Sequence, residues 1–141
     1  MAKLTVGRFM TPSPHVVTSG KTLAQAHQAM REKGIRHLPV VEGGRLVGLV
    51  SQRDLYLLET LKGVDVARET IDEAMTADPI AVPPDALLEE VAEAMAARKH
   101  GSAVVVDRGA VVGIFTTTDA LRALVSVLKR RRPRGEGGDE G

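Results

Sequence analysis

Apolar residues recur at helical spacing in one stretch and run unbroken in the next, and the whole succession then repeats. Leu23, Ala26 and Met30 form a stripe at spacings of three and four, which predicts a helix from a cap at Thr22 to near Gly34. Leu38 to Val41 is a short unbroken apolar run and reads as a buried strand. Glu42-Gly43-Gly44 supplies a tight turn, since glycine accepts positive φ, and Arg45 to Val50 returns as the second strand of a hairpin. Gln52 to about Leu61 is a second helix. Ahead of this series, Thr5 caps a short turn through Met10, Pro12 and Pro14 end it, and His15 to Thr18 is a short strand.

The same series follows 65 positions later. Met10-Thr11-Pro12-Ser13-Pro14 returns as Met75-Thr76-Ala77-Asp78-Pro79, Leu23 as Leu88, Met30 as Met95, and Val40-Val41 as Val105-Val106. Thr70 to Met75 is the second lead-in, and Ile80 to Val82 the short strand. Asp85 is the expected cap of a helix to about Lys99, with the stripe Leu88, Val91, Ala92 and Met95. Ala103 to Val106 and Ala110 to Phe115 form a hairpin that turns at Asp107-Arg108-Gly109, and a last helix runs from Thr117 to near Lys129. Lys62 to Glu69 links the copies. Self-similarity at a fixed period means one structural unit built twice. Two copies about an approximate two-fold axis leave two related clefts where they meet, and such clefts are common ligand sites.

Bulk properties narrow the function. Each half, at roughly 60 residues, is marginal alone, so the halves fold together. Aromatic residues make up 2% of the 141 residues, so aliphatic side chains build the core and stacking platforms for single-stranded nucleic acid are missing. A net charge of +1 argues against a strongly charged partner. The absence of cysteine excludes disulfides, thiolate metal sites and a cysteine nucleophile. No stretch reaches the ~18 apolar residues of a membrane span, and Met1 to Met10 has no apolar signal core, so a cytoplasmic protein is expected. The four histidines show no metal spacing, and His27, among polar neighbours, is expected to be exposed. Residues 129–141 read as a disordered charged tail, in which the basic run Lys129 to Arg134 is followed by Glu136, Asp139 and Glu140. Nucleic acid contact is therefore not expected.

Each copy carries Gly-x-x-Ser/Thr-x-x-Asp where the second hairpin strand passes into the following helix. In the first copy this is Gly48, Ser51 and Asp54, with Arg53 inside it; in the second it is Gly113, Thr116 and Asp119, with Thr118 inside it. One reading is structural. A hydroxyl at the N-cap and an acid three residues later form a capping box, and the acid suits the positive helix end. The other is functional. A helix N-terminus is a ready anion site, a carboxylate can accept the two hydroxyls of a ribose, and the glycines leave room for a ligand near the backbone. Both can hold together, because an aspartate has two oxygens.

Two β-α-β-β-α units, each opening with Met-Thr-x-x-Pro and closing with Gly-x-x-Ser/Thr-x-x-Asp, resemble a tandem pair of CBS domains, a Bateman module. Leu38-Pro39-Val40-Val41 also fits that family. The resemblance implies an α/β fold of two pseudo-symmetric units, residues 5–61 and 70–128, packed as one module. It implies regulatory binding of an adenine nucleotide (AMP, ADP or ATP) or S-adenosylmethionine, with ribose held by the Asp, ribose or phosphate by the hydroxyls, and adenine by backbone entering the short strand. It also implies crossed clefts. One joins Thr116, Thr118 and Asp119 to Pro14, His15 and Val16 and to Arg36 and His37. The other joins Ser51, Arg53 and Asp54 to Pro79, Ile80 and Ala81 and to His100, Gly101 and Ser102. Arg36 and His37 match the uncharged Gly101 and Ser102, so the Asp119 cleft is expected to take an anionic nucleotide first.

A homodimer through the helices after the motifs is implied as well, with Leu121, Leu124, Val125 and Leu128 expected to be mainly buried. An effector protein is the other expected partner. No activated nucleophile or paired catalytic carboxylates are recognisable, so the chain is not expected to be an enzyme. The alternative is a dimeric interaction or stress protein that binds no nucleotide, its motifs serving only as helix caps.

Overall fold

A computed structural model describes residues 3–12, 15–61 and 63–131. After a 3-10 turn at Val6–Arg8 come β1 (Thr11–Pro12), β2 (Val17–Thr18), α1 (Leu23–Lys33), β3 (His37–Glu42), β4 (Arg45–Ser51) and α2 (Gln52–Glu59). A second 3-10 turn at Ile71–Glu73 leads to β5 (Ala81–Val82), α3 (Leu88–Arg98), β6 (Ser102–Asp107), β7 (Ala110–Thr116) and α4 (Thr117–Arg130). Every element expected from the hydrophobic pattern is present, with ends moved by one or two residues.

The duplication extends to the register. β2 pairs parallel with β3 through Val17 and Val40, and β5 with β6 through Ala81 and Val104. Both hairpins are antiparallel and carry an irregularity at matching places, Val40/Val41 and Val105/Val106. Both turn through consecutive positive φ values, 58° and 81° at Gly43 and Gly44, 53° and 82° at Arg108 and Gly109. That is the primed geometry whose twist matches a hairpin, adopted in the second copy by a non-glycine residue as well.

The lead-ins cross over. Thr11–Pro12 does not join the first sheet but pairs antiparallel with β7, giving the order β1-β7-β6-β5 beside β2-β3-β4. The Val6 N–H donates to the Ala86 carbonyl oxygen at 2.9 Å, and Val6 is fully buried in the second core with Val91, Val105 and Phe115. The second lead-in does the reverse. The Ile71 N–H donates to the Lys21 carbonyl oxygen at 2.8 Å, and Ile71 is buried in the first core with Leu23, Leu38, Val50 and Leu55. Leu49, Val104 and Ile114 form a third small cluster where the sheets meet.

Two residues depart from expectation, the first because of the crossing. Asp85 does not cap α3; its N-cap is Leu87, whose side chain makes no cap bond. The first orphan donor there, the Leu88 N–H, is instead taken by the carbonyl oxygen of Leu4 in the crossing segment, at 2.9 Å. His27 is not free in solvent but packs between α1 and α2, bonded to Glu59 and with its ring centroid 5.4 Å from that of Tyr56. α4 continues to Arg130, so the start of the basic run is the last turn of a helix, where cations suit the dipole. Residues 132–141 lie outside the described residues.

Candidate functional site

Each motif sits where the second hairpin strand runs directly into a helix, so its carboxylate falls on the third helical residue. Both capping boxes form. The Asp54 N–H donates to Ser51 Oγ, and the Ser51 N–H to Asp54 Oδ2, each at 3.0 Å. The Asp119 N–H donates to Thr116 Oγ1 at 3.3 Å, and the Thr116 N–H to Asp119 Oδ2 at 2.9 Å. The same two aspartates face cavities, of about 660 Å³ at Asp54 and about 720 Å³ at Asp119. Volumes of roughly 300–1,000 Å³ suit a small ligand.

The motif glycines do a different job from the one expected. A Cβ at Gly113 would overlap the Met10 sulfur and lie 3.0 Å from the Thr11 carbonyl oxygen. A Cβ at Gly48 would overlap the Met75 sulfur and lie 2.9 Å from the Thr76 carbonyl oxygen. Both glycines are buried, so they admit the crossing Met-Thr segment rather than a ligand. The two motifs of the duplication are thus halves of one joint.

Of the residues expected around Asp119, the structure brings His15, Arg36, His37, Thr116 and Thr118 to its cavity. Val16 is not in the lining, and Pro14 lies outside the described residues. Around Asp54 it brings Ser51, Arg53, His100, Gly101 and Ser102, the last only 1% exposed. It does not bring Pro79, Ile80 and Ala81: the Ile80 side chain turns into the second core, and Ala81 is engaged in β5. Sequence reasoning missed Lys33 and Arg122 at the Asp119 cavity, and Tyr56 and Leu57 at the other, where Lys99, expected nearby but offset, joins the lining. Arg122 carried a signal, lying three residues after Asp119 on the same helix; its Nη1 is 3.8 Å from Asp119 Oδ1.

The expected imbalance of charge is absent. Arg36 and His37 line both cavities, and Arg53 and Lys99 add to the Asp54 side. What differs is the acids. Asp119 is 4% exposed, and the Thr11 hydroxyl donates to its two oxygens at 3.2 and 3.3 Å. Asp54 is half-buried, and among the described residues its one side-chain partner is the Ser51 N–H, which leaves Oδ1 open to the cavity. His37 is a hydrogen-bonding rather than a cationic wall at neutral pH. Burial pushes its pKa below the usual value, the Asp54 carboxylate pulls it back, and Arg36 presses it down further.

On the outer face, Tyr56, Leu57 and Leu61 at α2 and Leu121, Leu124, Val125 and Leu128 on α4 are each more than half exposed. The α4 stripe was expected to be mainly buried. It is Ala123, on the opposite side, that packs inward. Among the described residues no group of acids and histidines could hold a metal ion, and no helix is long and apolar enough to cross a membrane.

A family model described as CBS domain matches residues 6–58 and again residues 70–126. The inosine-5'-monophosphate dehydrogenase of Korarchaeum cryptofilum is 35% identical over 104 residues, 73% of this chain, which spans only 21% of that enzyme. Two solved structures match over nearly their whole length. The CBS domain pair of protein MJ0100, in complex with 5'-methylthioadenosine and S-adenosylmethionine, superposes with a TM-score of 0.80 at 27% identity, covering 89% of this chain and 98% of that one. CBSX2 in complex with AMP, a name carried by a chloroplastic protein of Arabidopsis thaliana, superposes with a TM-score of 0.76 at 30% identity, covering 88% and 98%.

Proposed function

This chain belongs to the CBS domain family, as a tandem pair, and from that premise we propose that it is a regulatory sensor of an adenosine ligand. AMP, ADP, ATP and S-adenosylmethionine are the candidates. Ribose is held by Asp54 or Asp119, and phosphate by Arg36 and the N–H groups that open α2 and α4. The observation that carries the reading is that each capping carboxylate also borders a ligand-sized cavity. The neighbours' ligands, AMP and S-adenosylmethionine, support the same class. On charge the Asp119 cleft ranked first; the open oxygen of Asp54 reverses that order for ribose.

The reading has a direct test. AMP, ADP, ATP and S-adenosylmethionine are titrated into protein stripped of carried-over ligand, by calorimetry and by thermal unfolding. A ligand at a hundred times its Kd adds about 2.7 kcal/mol of stability. Asp54→Ala removes most of that gain. No heat and no thermal shift with any of the four at millimolar concentration ends the sensor reading.

A second reading, an interaction protein without a nucleotide, draws on the two closed capping boxes and the exposed aliphatic faces of α2 and α4. The two readings share one expectation, a homodimer through those faces, because aliphatic side chains this exposed in a row mark an interface. Sedimentation of native protein against Leu121→Lys reads it: a monomer in both removes the dimer.

A further inference from the structure

One arginine stands between the two clefts. Arg36, His37 and Gly101 line the Asp54 cavity and the Asp119 cavity alike. The cause lies in the duplication. Residues 36 and 101 hold matching positions just before β3 and β6. The Gln52 N–H donates to the Arg36 carbonyl oxygen at 2.9 Å, and the Thr117 N–H to the Gly101 carbonyl oxygen at 3.0 Å. Each backbone is thereby tied to the first residue of a motif helix. The two positions meet at the boundary of the clefts, where a Cβ on Gly101 would lie 3.8 Å from His37 Nε2. A symmetric pair would carry an arginine at both of these positions; this chain carries one, at the boundary, beside Arg53 in one cleft and Arg122 in the other.

We propose that the two clefts compete for the Arg36 guanidinium, so that a phosphate-bearing ligand in one weakens binding in the other. This rests on the nucleotide reading above and deepens it. Arg36 is exposed and makes no ion pair with any described residue, so nothing described fixes its guanidinium to either side. Its planar fork engages one phosphate bidentately and cannot do so for two at once. His37, held neutral by burial, supplies no second charge in its place. Lys33 and Arg122 remain on one side and Arg53 and Lys99 on the other, so the second ligand is weakened, not excluded. The coupling is reciprocal, since each ligand changes the other's affinity by one factor.

Calorimetry with AMP and with adenosine, on native protein, Arg36→Ala and Gly101→Arg, tests it. Native protein binds two AMP with affinities separated by about tenfold, within the usual range of coupling between sites. In Arg36→Ala the tighter step falls towards the weaker one, which already lacks the guanidinium, and the separation narrows to what the unequal acids leave. Adenosine, without a phosphate, gives the same affinities in native protein and Arg36→Ala. Gly101→Arg restores the missing arginine, and the second AMP binds more tightly than in native protein; its Cβ meets only ordinary contacts at 3.8 and 3.9 Å. If that variant does not fold, Arg36→Ala, an exposed change, decides alone. Two equivalent AMP sites in native protein, or a separation undiminished in Arg36→Ala, overturn the competition and leave the nucleotide reading standing. A single AMP site that folded Gly101→Arg does not raise to two overturns it as well. No AMP binding at all overturns both.

Discussion

Asp54 and Asp119 occupy the same place in the same motif at the start of equivalent helices, yet one is sealed and the other is open. Around Asp119 the crossing N-terminal segment brings the Thr11 hydroxyl onto the carboxylate, which is left 4% exposed. Around Asp54 the equivalent segment passes over Gly48 in the same way, with Leu49 and Thr76 exchanging backbone bonds at 2.8 and 3.0 Å. Thr76 lines the cavity without bonding the acid among the described residues. A capping box and a ligand contact are therefore not rival uses of the motif. The helix needs one oxygen, and the surroundings decide what happens to the second.

The crossing itself is the largest thing to break. Ile71 lies outside the first unit in sequence but is fully buried in its core, and Val6 stands likewise in the second. Ile71→Ala should cost about 2–5 kcal/mol and Val6→Ala somewhat less, the usual range for emptying a buried aliphatic site. Because each residue belongs to the other half's core, both variants should still melt in one transition by circular dichroism. Two separate transitions would mean that the halves are not interlocked.

Next in size is the contrast between the acids. Asp119→Ala removes a 4%-exposed carboxylate that accepts from the half-buried Thr116 N–H and from the Thr11 hydroxyl, a loss of about 2 kcal/mol. Asp54→Ala loses one cap bond at a half-buried position, about 1 kcal/mol. Denaturant melts of the two variants give the comparison directly, and equal losses would erase the distinction between a sealed and an open acid. Thr11→Val and Thr76→Val sharpen it further. The first should cost about 1 kcal/mol, one net hydrogen bond, and the second close to nothing.

The element order, both hairpins and the helix caps at Thr22, Ser51 and Thr116 were legible because each follows from local spacing and residue chemistry. The crossed lead-ins were not. Nothing in the sequence of Val6 or Ile71 says which of two near-identical cores it enters, since both cores offer the same aliphatic surface. Gly48 and Gly113 were read as room for a ligand because an open backbone looks the same whether a ligand or a methionine fills the space. Arg36 was assigned to one cleft because residue-by-residue correspondence places a side chain on one side of a symmetry axis. It does not register that positions near the axis belong to both. The aromatic and aliphatic wall at Tyr56 and Leu57 escaped for a different reason: the span of a short helix does not say which of its apolar residues borders a cavity.

The smallest expected effect concerns position 37, histidine in the first copy where the second has Ser102, so one half alone titrates there. Burial lowers the His37 pKa, with Asp54 opposing and Arg36 reinforcing. The sign follows from which state takes up the proton first. Well above the ordinary histidine value of 6.5 the ring is neutral in both states and contributes no pH dependence. As the pH falls below it, the unfolded chain is protonated before the folded one, and stability declines until the lowered folded pKa is passed. The melting temperature should therefore hold steady from pH 8 to about 7 and fall below about 6.5, the unperturbed histidine range. His37→Gln should remove part of that fall. Asp54→Asn should deepen it, because the carboxylate that draws the pKa back up is gone. Glu42, whose pKa is lowered from 4.5 by its bonds to Ser19, loses its contribution only in more acid solution and leaves this window clear. An undiminished fall in His37→Gln would mean that another group titrates, and that the ring between the two clefts is not held neutral by its surroundings.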